Sequence, residues 1–238
     1  MEKRVDNNLF MIYASRYFDN VILELSDYLE NGIKRELEFF NLDHIDKLSI
    51  YLYDSKDEYQ KVFKTLYPPS SMAGSFGYED VRIYVDLDKV DKYKFYSCVL
   101  HELTHVIYKN YIQEKGIKNR IVWFDEGLAT YLSGQKDGLF DENRFSTFIS
   151  TRITGEGKEM PNISFLHKHG FKYGEFVDTE TDKYNGYDWS YLMIRYLIET
   201  LSKKEFDELM RSKNKIMDIE SNIVNDTYNY FTRKIKTR

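Results

Sequence analysis

The run His101-Glu102-Leu103-Thr104-His105 puts two imidazoles and a carboxylate within five residues. On an α-helix, residues four apart differ by about 40° in direction and about 6 Å in height, so His101 and His105 leave the same face and can converge on one ion. Glu102 is turned about 100° from His101, too far round to ligate with the imidazoles but placed to reach water held beside them. That combination is suited to metal-assisted hydrolysis: a Lewis acid held by neutral nitrogens, and a base next to the water it activates. The competing reading is a surface helix that carries these residues by coincidence. With five histidines in 238 positions, chance occurrences of His-Glu-x-x-His number roughly 0.01 per chain of this composition.

A catalytic zinc normally takes three protein ligands and keeps a position for water, so a further His, Asp or Glu is expected on a neighbouring element. Glu126 is the candidate. It follows His105 by 21 residues, enough chain to finish one helix, turn and begin an antiparallel partner. Gly127, Ala129, Thr130 and Ser133 adjoin it or share its face, and such small residues let two helices approach closely. A glutamate favoured by the helix dipole in a first turn is the simpler alternative for Glu126.

The elements that must position these groups follow from periodicity. Residues 93–112 have helical spacing, with Tyr96, Val99, Leu100, Leu103 and Ile107 on the side away from the histidines, and Lys115-Gly116 ends the helix. Residues 121–133 form a second helix, closed by Gly134 in the position after the cap. Upstream, Leu9, Ile12, Tyr13, Phe18, Val21, Ile22, Leu25 and Leu29 recur every three or four positions and predict one or two amphipathic helices over residues 8–40. Lys47–Tyr53 is rich in strand formers, and Ser55 with Glu58 three residues on opens another helix. Pro68-Pro69, Gly74 and Gly77 read as breakers before a half-exposed strand at Val81–Leu87 beside a cleft. Residues 137–183 are loop-rich, and helices resume near Trp189. The chain is expected to be α+β, with N-terminal helices and the metal-binding part in residues 1–135, a loop-rich then helical lobe in 136–238, and the two acting as one unit.

Composition bounds the partners. A net charge of −5 from 39 acidic and 34 basic residues offers no cationic surface for nucleic acid or anionic lipid. The single cysteine, Cys98, cannot form an intramolecular disulfide and suits a reducing compartment, so a cytoplasmic location is expected. The N-terminal segment reads as neither signal peptide nor membrane span.

His101, Glu102 and His105 followed by Trp123-Phe124-Asp125-Glu126-Gly127-Leu128-Ala129 resemble the gluzincin metallopeptidases, the thermolysin-like group that includes zinc aminopeptidases. The resemblance covers about residues 45–200. It implies a small mixed sheet with an edge strand packed on the metal-binding helix, one zinc ion on His101, His105 and Glu126, and Glu102 as general base. A later stretch, Tyr187-Asp188-Trp189-Ser190-Tyr191, is similar to a downstream helix in small domains of this group, where a tyrosine near the start faces the zinc. That implies Tyr187 as donor to a developing oxyanion, although it can equally be a packing residue. Gly74, Ser75, Phe76 and Gly77 sit where such enzymes bind extended peptide along an exposed edge. Asp125 departs from the Asn usual at its position in the aminopeptidases, and the Gly-Ala-Met-Glu-Asn pattern that recognises a free N-terminus is missing. An endopeptidase is therefore favoured over an aminopeptidase, the rival reading being an inactive peptidase-like zinc domain that binds peptide or a partner protein.

Other candidates carry less. Cys98 shares the histidine face but lies about 10 Å along the helix from His105, too far to join one ion. His167 and His169 could share one side of a strand, yet beside Lys168 and Gly170 they read as surface histidines, and His44 shows no partner.

Overall fold

Phe10, Ile12 and Ala14 alternate with Met11 and Tyr13 in the two-residue period of a strand. The computed structural model describes residues 1–63, 71–113, 120–136, 161–167, 171 and 186–236. Within them the chain divides into two compact units, Met1–Ile112 and Gln113–Arg238. The first unit holds five strands, β1 (Glu2–Asp6), β2 (Phe10–Ala14), β3 (Leu48–Tyr53), β4 (Met72–Phe76) and β5 (Asp80–Val85), in the order β1-β2-β3-β5-β4. The sheet is mixed: β2, β3 and β5 run parallel, with Ile12 opposite Ile50 and Ile50 opposite Val81, while β1 and β4 lie antiparallel at the two edges.

Two expectations are corrected. The stretch that begins at Leu9 opens as a strand and not as a helix, because Leu9, Ile12 and Tyr13 fit a 3.6-residue period by spacing alone while pairing with the distant β3 decides the outcome. Helix α1 is confined to Ile22–Phe40. Gly74 and its neighbours are not a breaker but part of β4, which forms the sheet edge, and the segment expected to be half-exposed at Val81–Leu87 holds an interior strand. Strand β5 is interior, and its Val81, Ile83 and Val85 are fully buried. The Pro68-Pro69 pair, the Lys115-Gly116 helix end and most of the 137–183 stretch lie outside the described residues.

One face of the sheet presents Phe10, Ile12, Ala14, Leu48, Ile50, Leu52, Val81, Ile83 and Val85, all at most 1% exposed. Helices α1 and α3 (Lys92–Ile107) pack together, and α3 lies against β4 and β5. The other face carries tyrosines: Tyr13 and Tyr51 stack with centroids 5.0 Å apart, and Tyr59 of helix α2 (Lys56–Phe63) clusters with Tyr53 and Tyr84. Ser55 caps α2 as expected, accepting from the Glu58 amide.

The second unit is helical wherever it is described, apart from short connections. Helix α4 (Val122–Leu132) packs on α5 (Gly186–Thr200), which in turn packs on α8 (Ile223–Lys236), with α6 (Lys203–Met210) and α7 (Lys213–Ile219) between them in the chain. Ser202 and Glu205 form a capping box at the start of α6. Glu199 of α5 meets Lys234 and Tyr230 of α8 at 2.6 and 2.8 Å, and Arg195 at 2.7 Å. Burial works to raise its pKa, but these partners hold it down to about 2.

Glu36 is the anomaly of the first unit's interior. It falls on the buried stripe of α1 with Leu25, Leu29, Ile33 and Phe40, is 1% exposed, and lies 2.6 Å from the Thr104 hydroxyl. Burial raises its pKa from the usual 4.5 to about 8, against the hydrogen bond from Thr104. The folded chain therefore keeps a proton that the unfolded chain releases. Stability from that proton is complete below about pH 4.5 and is lost as pH rises through about 8. Glu36→Gln, similar in shape and unable to titrate, is expected to remove this slope. Thermal melts in chelator at about pH 5 and pH 8.5 should show the variant gaining on the wild type at the higher pH, and an equal difference at both values contradicts the assignment.

Candidate metal centre

Helix α3 begins at a firm cap. Asp91 accepts from the backbone amides of Tyr93 and Lys94 at 2.9 and 3.2 Å, which satisfies donors that have no partner within the helix. From Phe95 to Ile107 it is buried apart from Glu102, which is partly exposed. Tyr96, Val99, Leu100, Leu103 and Ile107 are all fully buried, as their spacing predicts. The chain then widens into a π-helical turn at Tyr108–Ile112, anchored by Tyr111, whose hydroxyl accepts from the Asp46 amide at 2.7 Å and donates to its carboxylate at 3.0 Å.

His101 and His105 are 4% and 1% exposed. Their rings stand nearly perpendicular, at 89° with centroids 4.7 Å apart, and their Nε2 atoms meet at 3.1 Å. Two nitrogens held at about 2.0–2.1 Å from a tetrahedral zinc stand roughly 3.4 Å apart, so this spacing fits a shared ion. Phe76 of the edge strand lies against the His105 ring, with centroids 4.6 Å apart, and restricts its rotation.

Glu102 is held against the same strand. A Cβ added to Gly74 would run into the Glu102 carboxylate, so a larger residue there would displace that side chain from its present position. The remaining residues predicted along this edge have other tasks as well. Ser75 is buried and donates to the Arg82 carbonyl at 3.3 Å, while Gly77 lies in the hairpin turn, its amide donating to the Asp80 carbonyl at 2.7 Å.

In the second unit, the sequence Trp123 to Thr130 is buried throughout. Trp123 donates its indole N–H to Glu220 at 2.9 Å, and Phe124 stacks with Phe206. Gly134 follows the helix at φ 71°, the left-handed conformation expected of a residue closing a helix. Glu126 is 8% exposed and takes a hydrogen bond from Arg120 Nη2 at 2.6 Å, while Arg120 Nε binds Asp125. Burial disfavours charge on Arg120, but the two carboxylates more than offset this and raise its pKa. Arg120 escaped the sequence reading; its signal was a cation five and six residues before an acidic pair at a helix start. Tyr187 lies in the first turn of α5, edge-on to Phe171 at 5.2 Å.

Among the described residues, His101 and His105 in the first unit and Glu126 in the second are buried groups of metal-ligating type. Two imidazoles and one carboxylate are a donor set suited to zinc. Cys98 is a buried free thiol whose pKa is pushed up by burial, the behaviour of a packed residue and not of a ligand. His167 stands beside Phe171, and His169 lies outside the described residues.

The first unit thus joins a mixed sheet to a His-Glu-x-x-His helix held against its edge strand, and further along the chain a helix of the second unit carries Glu126. The family described as the Peptidase MA superfamily matches residues 38–237, and the chain belongs to it. The chain is 26% identical over 192 residues to collagenase ColT of Clostridium tetani, an alignment covering 75% of this chain and 18% of that protein. Among solved structures it is similar to an aminopeptidase N family protein from Idiomarina loihiensis, at 12% identity and a TM-score of 0.48, covering 94% of this chain and 41% of the other. The chain therefore spans less than half the length of either. No helix among the described residues is long and apolar enough to cross a membrane.

Gly127 shows how tightly the second unit is built. A Cβ there would stand 2.6 Å from the Ser190 carbonyl oxygen and 2.6 Å from the Ile194 side chain. Because one of these is backbone, Gly127→Ala must push α4 and α5 apart, at a cost of about 1–3 kcal/mol. Calorimetry should show a lowered melting temperature, and an unchanged melt would mean that the helices separate freely.

Proposed function

We propose that this protein is a zinc-dependent peptidase that cleaves internal peptide bonds, with one zinc ion held by His101, His105 and Glu126. The observation that carries the reading is the meeting of the two buried Nε2 atoms at 3.1 Å on the helix that also presents Glu102. At 3.1 Å the two Nε2 atoms are within hydrogen-bond reach of each other, and a cation between them would instead take a lone pair from both.

When bound, zinc would supply Lewis acidity toward the substrate carbonyl and lower the pKa of the attacking water. The rest is done by the chain's own groups. Glu102 Oε takes the proton of that water and returns it to the departing amine, a role for which a partly exposed carboxylate between helix and edge strand is suited. Tyr187, at the start of α5, is assigned as donor to the oxygen that gains charge as the carbonyl becomes tetrahedral. Strand β4 offers its outer edge to an extended peptide through Gly74, Ser75 and Phe76, with Gly77 setting the end of that edge. Arg120, by fixing one oxygen of Glu126, orients the carboxylate that completes the ligand set. The buried, unpaired Cys98 suits a reducing compartment, in line with the cytoplasmic location read from composition.

The test separates metal from chemistry. Purified protein should contain one equivalent of zinc and cleave members of a random peptide library within their sequence, in a chelator-sensitive way. Glu102→Gln should keep the zinc and lose about 100- to 10,000-fold in rate, the share typical of a general base. His105→Ala should lose both. Zinc in the wild type with no cleavage of any peptide would contradict the peptidase reading in favour of a binding domain; removal of single N-terminal residues alone would contradict internal cleavage.

A further inference from the structure

Thr104 stands between the two motif histidines, and its hydroxyl is where α1 grips α3. The hydroxyl oxygen lies 2.6 Å from Glu36 Oε1 and 2.9 Å from the Leu100 carbonyl. One hydroxyl proton cannot serve two acceptors. The hydroxyl donates to Glu36 Oε1, the shorter of the two contacts, and the Leu100 carbonyl lies beside it. Burial raises the pKa of the acid to about 8, so Glu36 is a neutral acceptor at neutral pH. Its other oxygen, Oε2, is buried and has no hydrogen-bond partner among the described residues.

The grip extends over two turns. A Cβ on Gly32, one turn before Glu36, would stand 2.6 Å from the Leu100 side chain. Gly32 over Leu100 and Glu36 over Thr104 thus bring α1 close to α3 at consecutive turns. On the helical wheel Thr104 points about 60° from His101 and about 100° from His105, so contact from α1 falls on the flank of the metal face and not on the ion's position. A buried acid with one unsatisfied oxygen is a poor device for stability, since an apolar side chain of similar volume is often neutral or better at such a site.

We propose that Glu36 is a positioning residue for the metal centre: by clamping Thr104 it fixes the rotation of the turn that carries His101 and His105, and so the convergence of their Nε2 atoms. This rests on the metal-binding reading above. Second-layer groups of this kind typically tune metal affinity about 10- to 100-fold.

The experiment measures zinc affinity of the whole chain by competition with a chromophoric chelator, together with the melting temperature of the metal-free protein. Glu36→Met and Thr104→Val are expected to weaken zinc binding about 10- to 100-fold. The metal-free melting temperature of Glu36→Met should not fall. Glu36→Gln, which can still hydrogen-bond to Thr104, should stay within about threefold of wild type, and the double variant Glu36→Met/Thr104→Val should be no weaker than the worse single one. Affinity unchanged in Glu36→Met, or lost only in step with the metal-free melting temperature, overturns the proposal. If Glu36→Met does not fold, Thr104→Val decides on the same affinity criterion. A wild-type chain that takes up no zinc removes the metal reading and this inference with it; zinc bound equally by wild type and variants removes this inference alone.

Discussion

Two imidazole nitrogens 3.1 Å apart are held there by the helix that carries them, and the first unit is arranged around keeping that helix from rotating or bending. Asp91 fixes where α3 starts, and the buried stripe from Phe95 to Ile107 fixes which way it faces. Gly32 and Glu36 bring α1 against it, while Gly74 and Phe76 bring the edge strand to its other flank. A rotation of one residue, about 100°, would exchange His101 for Glu102 on the metal face and turn a ligand into a base. The chemistry thus depends on rotational register more than on the exact path of the sheet.

The same economy governs the polar groups of the interior. Asp125, Glu126 and Glu36 are buried at a desolvation cost, and each is met by a specific device. Arg120 meets Asp125 and Glu126, and Thr104 meets Glu36. Glu199, on the α5–α8 contact, is instead surrounded by Lys234, Arg195 and Tyr230 and serves packing of the second unit. Charges that hold helices together have several partners, whereas Glu36 has one hydrogen bond and one unpaired oxygen.

Much of this was legible in the sequence because it depends on local periodicity. His101 and His105, the packing side of α3, β3, the cap at Ser55 and the glycine after α4 follow from spacing and residue type alone. What stayed hidden depends on pairing between distant segments. The all-apolar run Phe10–Ala14 fits a helical spacing as well as a strand, and its pairing with β3, more than thirty residues on, decides between them. Gly74 looked like a breaker because its use appears only when Glu102 is laid against it. Glu36 drew no notice on a helix read as amphipathic, because a buried acid has the same letter as an exposed one.

The central claim is that His101, His105 and Glu126 bind one zinc ion through two imidazoles and one carboxylate. Anomalous diffraction at the zinc absorption edge from crystals grown with zinc tests it most directly. The account predicts one peak at about 2.0–2.2 Å from both Nε2 atoms and a Glu126 carboxylate oxygen, with room for a water at the fourth position. A peak bound elsewhere, or a zinc held by the histidines without Glu126, would contradict it.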